Sequence, residues 1–260
     1  MGKFLFVQPH PDDLELNCGQ ILHYLTRKNR NTHTVSIISV TKGEFGLPGS
    51  QYDKFKGNFL AKVRTRELEN AMAIHGIPSD NIHYLGYIDG YVPFKEEIIG
   101  KFVKFLSEYR PDIIFAPEPL YTSYVHIDHV NSGRVIYYIL YNQRIEKYKP
   151  KLFFYSSLLP NFLFPFTKED YYITERLLAC HKTQFWLLNQ MKIINKIKTR
   201  WYGMQVRGWK FAEFFRKVDY NKDHLSLKQD KIPLLVRMVY RFCWAHRSWF
   251  NAKYPAGSIY

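Results

Sequence analysis

Hydrophobic positions along the first 156 residues switch repeatedly between two spacings. Short apolar or β-branched runs occupy residues 3–8, 34–40, 83–85, 113–116 and 151–156, and read as strands. Between them, residues 14–28, 59–75, 96–109 and 128–141 carry apolar side chains at helical spacing. In 59–75 the apolar face is Leu60, Val63, Leu68, Ala71 and Met72; in 96–109 it is Ile98, Ile99, Phe102, Val103 and Leu106. Thr34-Val35-Ser36-Ile37-Ile38-Ser39-Val40 is rich in β-branched and apolar residues, as expected of a strand covered on both faces. This alternation predicts an α/β fold, a Rossmann-like three-layer sandwich with a mostly parallel sheet. Beyond residue 157 the pattern turns irregular. Residues 171–197 read as a helix and 210–218 as a short helix, C-terminal helical additions with no Pro/Gly/Ser-rich linker before them. The expected division is therefore one domain over 1–220, with 221–260 as a basic, aromatic extension of it.

Composition narrows this only slightly. A chain of 260 residues with 46% hydrophobic content has ample core for one α/β domain. Cys18, Cys180 and Cys243 form no CxxC pair, and an odd count does not make a disulfide framework. A reducing, cytoplasmic setting is the expectation. The first residues run straight into a candidate strand rather than a targeting segment. Charge changes the picture more. A formal net charge of +14 suits an anionic partner: nucleic acid, a membrane surface or an anionic substrate. Without a zinc finger, helix-turn-helix or RNP motif, nucleic acid is not expected. A genome biased toward Lys and Asn codons is the plain alternative.

The chemistry lies in two clusters. His10-Pro11-Asp12-Asp13 directly follows the first strand, with Glu15 behind it, and His126-Ile127-Asp128-His129 follows the fourth. In parallel α/β sheets, sites form beyond the carboxyl ends of the strands. Both clusters and Thr41-Lys42-Gly43-Glu44 fall on that edge. Imidazoles with carboxylates there are the makings of a hydrolytic metal site, with three protein ligands and a position left for water. Adjacent carboxylates can divide the work, one binding the metal and the other handling the water's proton. Taken singly, each residue has a plainer reading. His10 and Asp12 could cap the next helix, and His129 could be an ordinary helix residue.

The ordered set of motifs resembles the PIG-L/LmbE-like de-N-acetylases, zinc-dependent enzymes acting on N-acetylglucosamine-containing compounds. The resemblance runs through Pro9-His10-Pro11-Asp12-Asp13-Leu14-Glu15, Cys18-Gly19, Thr41-Lys42-Gly43-Glu44-Phe45-Gly46 and Arg64-Thr65-Arg66-Glu67-Leu68. It continues through Leu85-Gly86, Asp89-Gly90, Arg110-Pro111-Asp112 and His126-Ile127-Asp128-His129 with Gly133, and echoes in His181-Lys182-Thr183-Gln184 and Ala212-Glu213-Phe214. It spans residues 3–218. Ile127 stands where the family's motif has proline, a change that removes no chemical group.

The resemblance implies a metal held by His10, Asp13 and His129, Zn2+ or another divalent ion such as Fe2+. It makes Asp12 the general base and His126 the group that stabilises the oxyanion. Asp128 is expected to hold the His126 ring in orientation and keep it charged, and Tyr124 to add a hydrogen bond to the oxyanion. Arg64 and Asp89 are candidates for sugar or phosphate contacts, with a solvated surface role as the alternative for Arg64. Glu15 is placed with the substrate-binding group, its alternatives being a dipole-favoured acid or a partner to a ligand. The implied reaction is removal of an acetyl group from an N-acetylglucosamine-type glycoconjugate, lipid-linked or otherwise anionic. Two rivals remain: an amidase for another acyl group, and a non-catalytic carbohydrate- or membrane-binding protein. Residues 221–260 carry seven Lys/Arg against two Asp. Within them Leu235, Met238, Val239, Phe242 and Trp249 can share a helical face beside Arg237, Arg241 and Arg247. This segment is read as a peripheral contact with the inner face of a membrane, or as a helix packed on the core or in a homo-oligomer interface.

Overall fold

The computed structural model describes residues 2–28, 32–47, 50–122, 126–145 and 148–220. Five parallel strands form the main body of the sheet: β1 (Gly2–Gln8), β2 (His33–Thr41), β3 (Ile82–Tyr87), β4 (Ile113–Pro117) and β5 (Lys151–Tyr155). The full order is β3-β2-β1-β4-β5-β7-β6, in which β7 (Phe211–Lys217) is antiparallel to both β5 and the edge strand β6 (Phe162–Phe166). Sheet order reverses between β2 and β4 on either side of β1, so the crevice at the carboxyl end of β1 is the natural site.

The near-continuous apolar strands are explained by two cores, one on each face of the sheet. Leu5 and Val7 of β1 pack with Ile38, Ile98, Phe102 and Val135, on the side of α4 (Glu96–Tyr109) and α5 (Ile127–Tyr141). Phe4 and Phe6 point the other way, onto Leu14, Leu68, Met72 and Leu177. That face is covered by α1 (Asp13–Asn17), α2 (Gly19–His23), α3 (Asn58–His75) and α6 (Tyr171–Leu178). Period-two alternation thus serves two hydrophobic layers rather than one wet and one dry.

The C-terminal third departs from expectation. The helix expected over 210–218 is instead the strand β7, which lies between β5 and the edge strand β6. All of Phe211–Arg216 is buried, and the polar members are spent on partners. Glu213 accepts the Gln20 and Ile21 amides at 2.7 and 2.9 Å, and Arg216 forks onto Glu118 at 2.6 and 2.8 Å. Charges spaced three apart in a short apolar run look like a helix's wet side when their buried partners are far away in sequence. Strand β6 was not expected, and its Pro165 is tolerated because β6 is an edge. The long helix expected over 171–197 is two: α6, a 3₁₀ turn at Lys182–Gln184, then α7 (Phe185–Gly203). The break turns His181 inward to Glu15, while Thr183 donates both its amide and its hydroxyl to Glu67. Likewise the helix expected over 14–28 breaks at Cys18 and ends in a π turn, Tyr24–Lys28. Residues 231–254 lie outside the described residues, as does the whole of 221–260.

One glycine sets how closely α5 approaches the sheet. A Cβ at Gly133 would collide with the Pro117 carbonyl at the end of β4. Gly133→Ala should therefore lower stability by about 1–3 kcal/mol in a denaturant titration, the usual cost of overpacking. An unchanged midpoint would mean that α5 shifts at no cost.

Candidate active site

The turn after β1 is tightly knotted. The Thr41 amide and hydroxyl both donate to the Pro9 carbonyl at 2.9 Å, fastening the end of β2 to it. The His10 amide donates to Asp13 Oδ2 at 2.8 Å. Asp12 between them sits at φ 152°, ψ −11°, a region L-residues rarely adopt. Strain of this kind persists where neighbours over-determine the backbone. Here Arg64 does so: from α3 it donates to the Pro11 and Gly43 carbonyls at 3.1 and 2.9 Å and to Asp12 Oδ2 at 2.9 Å.

His10, Asp13 and His129 converge. Asp13 Oδ1 lies 3.2 Å from His129 Nε2, and Asp13 Oδ2 lies 3.5 Å from His10 Nδ1. One ligand atom from each lies within 4.8 Å of the others, and all three residues are buried. Ligands about 2.0–2.2 Å from a tetrahedral ion stand a little over 3 Å apart, so the set fits a small divalent cation. The local charge agrees. Asp12, Asp13, Asp89 and Asp128 are all buried around this floor, with Arg64 as the permanent cation among them. His10 supplies positive charge in their midst. Burial alone would lower its pKa, but hydrogen bonds to Asp128, Asp13 and Asp89 raise it well above the ordinary value. Burial likewise pushes Asp13 up, yet His129 and His10 hold its carboxyl far below the usual carboxylate range.

Asp12 behaves differently. Burial raises its carboxyl to about 6, against the opposing pull of Arg64. A carboxylate so placed is ionised at neutral pH yet still worth protonating, which suits proton transfer.

The second cluster opens α5, and its geometry revises two expectations. The Asp128 carboxylate does not steady the His126 ring, which lies 3.9 Å away. It accepts the Gly90 and Val92 amides at 2.7 and 2.9 Å and meets His10 Nε2 at 3.1 Å. Asp128 thus orients His10 and anchors the loop after β3. What steadies His126 is the Asp128 main-chain N–H, which donates to His126 Nδ1 at 3.3 Å as a helix N-cap bond. With Nδ1 accepting, a neutral ring carries its proton on Nε2. Burial and the His10 charge also lower the His126 pKa, against the upward pull of Asp128, so the charged form of the ring is disfavoured.

Asp89 reaches His10 Nε2 at 3.1 Å and accepts the Phe45 amide at 3.1 Å. Arg64 lines the cavity, but it is 2% exposed and both terminal nitrogens are spent on the protein, so it positions Asp12 rather than offering a fork to ligand. Glu15 is 1% exposed, off the cavity lining, and joined to His181 Nε2 at 2.8 Å. Tyr124 lies outside the described residues.

Above this polar floor lies a cavity of about 280 Å³. Its opposite wall is apolar: Leu187, Leu188, Met191 and Ile194 of α7, with Phe214 of β7. Asn195 and Lys198 complete that side. The sequence offered no sign of this wall, since only the break before α7 swings it over the crevice. The Gly90 and Val92 amides were equally hidden, because a backbone donor leaves no mark on composition.

Comparison with known proteins settles the lineage. The profile of the PIG-L family, GlcNAc-PI de-N-acetylase, matches residues 5–140. The chain belongs to the PIG-L family. Among curated relatives, the diacetylchitobiose deacetylase of Thermococcus kodakarensis is 28% identical over 131 residues, covering 50% of this chain and 46% of that protein. The 1D-myo-inositol 2-acetamido-2-deoxy-alpha-D-glucopyranoside deacetylase of Mycobacterium sp. (strain KMS) is 27% identical over 157 residues, covering 51% and 48%. The chain thus spans about half the length of the curated relatives it matches. The structure of N,N'-diacetylchitobiose deacetylase from Pyrococcus horikoshii superposes with a TM-score of 0.76 at 21% identity, over 86% of each chain. That likeness covers more of the chain than residues 5–140 and shows a shared fold.

Proposed function

We propose that this PIG-L protein is a zinc-dependent deacetylase acting on the acetamido group of an N-acetylglucosamine-type glycoconjugate. The observation that carries the reading is a single buried floor on which His10, Asp13 and His129 converge beside Asp12, under a cavity open to ligand. The relatives named above are deacetylases of diacetylchitobiose and of a GlcNAc-inositol, which points the substrate toward amino sugars.

His10, Asp13 and His129 would hold the ion, whose chemistry when bound is to acidify water and polarise a carbonyl. Asp12 takes a proton from the attacking water on its carboxylate. As the amide C–N bond breaks, it returns that proton to the departing nitrogen, so the products are acetate and a free amine. His126, at the cavity edge with its proton on Nε2, donates to the oxygen that gains charge. Arg64 keeps Asp12 ionised and aimed, and the α7 wall keeps bulk water from the floor.

The test is a panel of diacetylchitobiose, N-acetylglucosaminyl-inositol and their longer-acyl analogues, incubated with zinc-loaded protein. The expected result is stoichiometric acetate and amine, with acetyl favoured over longer chains. Preference for another acyl group would make the protein a different amidase. Turnover of none, at full metal occupancy, would leave a carbohydrate-binding protein on this fold.

A further inference from the structure

Helix α7 shows solvent a face that soluble proteins ordinarily hide. Leu188, Thr199 and Gly203 are its only buried residues. On the opposite side Trp186, Ile193, Ile197, Trp201 and Met204 follow one another at spacings of seven, four, four and three, which places them on one stripe. Their exposures are 77%, 63%, 65%, 63% and 61%. Phe185, Leu187 and Ile194 widen the stripe. Isolated exposed apolar residues are unremarkable; a contiguous strip holding two tryptophans marks an interaction surface.

Charge says what it meets. From residue 185 to 212 there are six cations, Lys192, Lys196, Lys198, Arg200, Arg207 and Lys210, and no acid. Lys192 is paired with Glu175 of α6 at 3.0 Å. On the helical wheel Lys196 and Arg200 flank one margin of the apolar stripe and Lys198 the other. Apolar and aromatic residues bordered by Lys and Arg are the pattern of a helix lying in a lipid interface. No helix among the described residues is long and apolar enough to cross a bilayer, so contact here lies along the surface.

We propose that α7 seats this protein on an anionic lipid bilayer, its apolar stripe entering the headgroup boundary. Two other occupants fit the charge poorly. A second copy would bring the same cations against themselves, and residues 221–260 carry seven Lys/Arg against two Asp. The helix is also continuous with the site: Leu187, Met191, Ile194 and Lys198 line the cavity above the His/Asp floor. Docking through α7 therefore sets the cavity beside the lipid surface. The inference needs no turnover to test, so it stands or falls apart from the deacetylase reading.

The full-length protein is sedimented with phosphatidylglycerol-containing and pure phosphatidylcholine vesicles, at low and high salt. Binding to the anionic vesicles is expected, with a blue shift of tryptophan emission. Each basic residue near such a surface is worth about fivefold in affinity, and salt screens it within a Debye length. Adding salt or removing the anionic lipid should therefore weaken binding more than tenfold. The variant Trp186→Ser/Ile193→Ser/Ile197→Ser/Trp201→Ser should lose binding at least tenfold, with the circular dichroism spectrum retained. If that variant misfolds, Lys196→Glu/Arg200→Glu, which leaves the apolar stripe intact, must still weaken anionic binding about twentyfold or more. Three results would overturn the proposal: wild-type protein that ignores anionic vesicles at low salt, a folded α7 variant that binds them as well as wild type, or a wild-type dimer that the α7 variant converts to monomer.

Discussion

Asp12→Asn is expected to keep its metal and lose most acetate release, about 10²–10⁴-fold in kcat. The amide can still accept from Arg64, so the strained turn at Asp12 keeps its main fastening; what it cannot do is take a proton. The neighbouring arginine supplies a second readout. Burial sets the Asp12 carboxyl at about 6 while Arg64 pulls it down. A base works ionised, so wild-type kcat/KM should fall as pH drops through this range, and a bound dication moves that limb lower. Removing the guanidinium in Arg64→Met raises the Asp12 pKa, so the limb must move to higher pH. Elemental analysis with a pH–rate profile checks both variants. Near wild-type turnover by Asp12→Asn would remove it as the base, and a limb moved to lower pH would refute the role given to Arg64.

His129→Ala should fall from about one divalent ion per chain to almost none, with activity lost in step. Without His129 only Asp13 and His10 remain, one short of the three protein ligands of an open site, and His10 must also give up its proton to bind. Metal that binds only the native state stabilises it by about 2.7 kcal/mol at a hundred times Kd. A chelator should therefore lower the melting temperature of wild type and leave that of His129→Ala unmoved. Undiminished metal content in the variant would take His129 out of the site.

The apolar runs that became β1, β2, β4 and β5 were legible because a strand buried on both faces needs no partner in view to look like one. The two His/Asp clusters were legible for a related reason: site residues in a parallel sheet follow strand ends, and strand ends can be read. Whatever depended on a distant partner was not. Phe211–Lys217 looked helical because the partners of Glu213 and Arg216, the Gln20 and Ile21 amides and the Glu118 carboxylate, lie far away along the chain. Arg64 and Asp128 were identified as site residues from sequence, but what each touches was decided by loops folded over them, which turn one inward onto Asp12 and the other onto His10. The layered α/β body and the residue types at the crevice could be read along the chain, because hydrophobic period and strand-end placement are local properties. Which carboxylate is paired, which is poised near neutrality, and that α7 walls the cavity with one side while showing tryptophans to solvent with the other came only with the folded arrangement. Those follow from burial and from contacts between residues far apart in the chain, and no local pattern carries them.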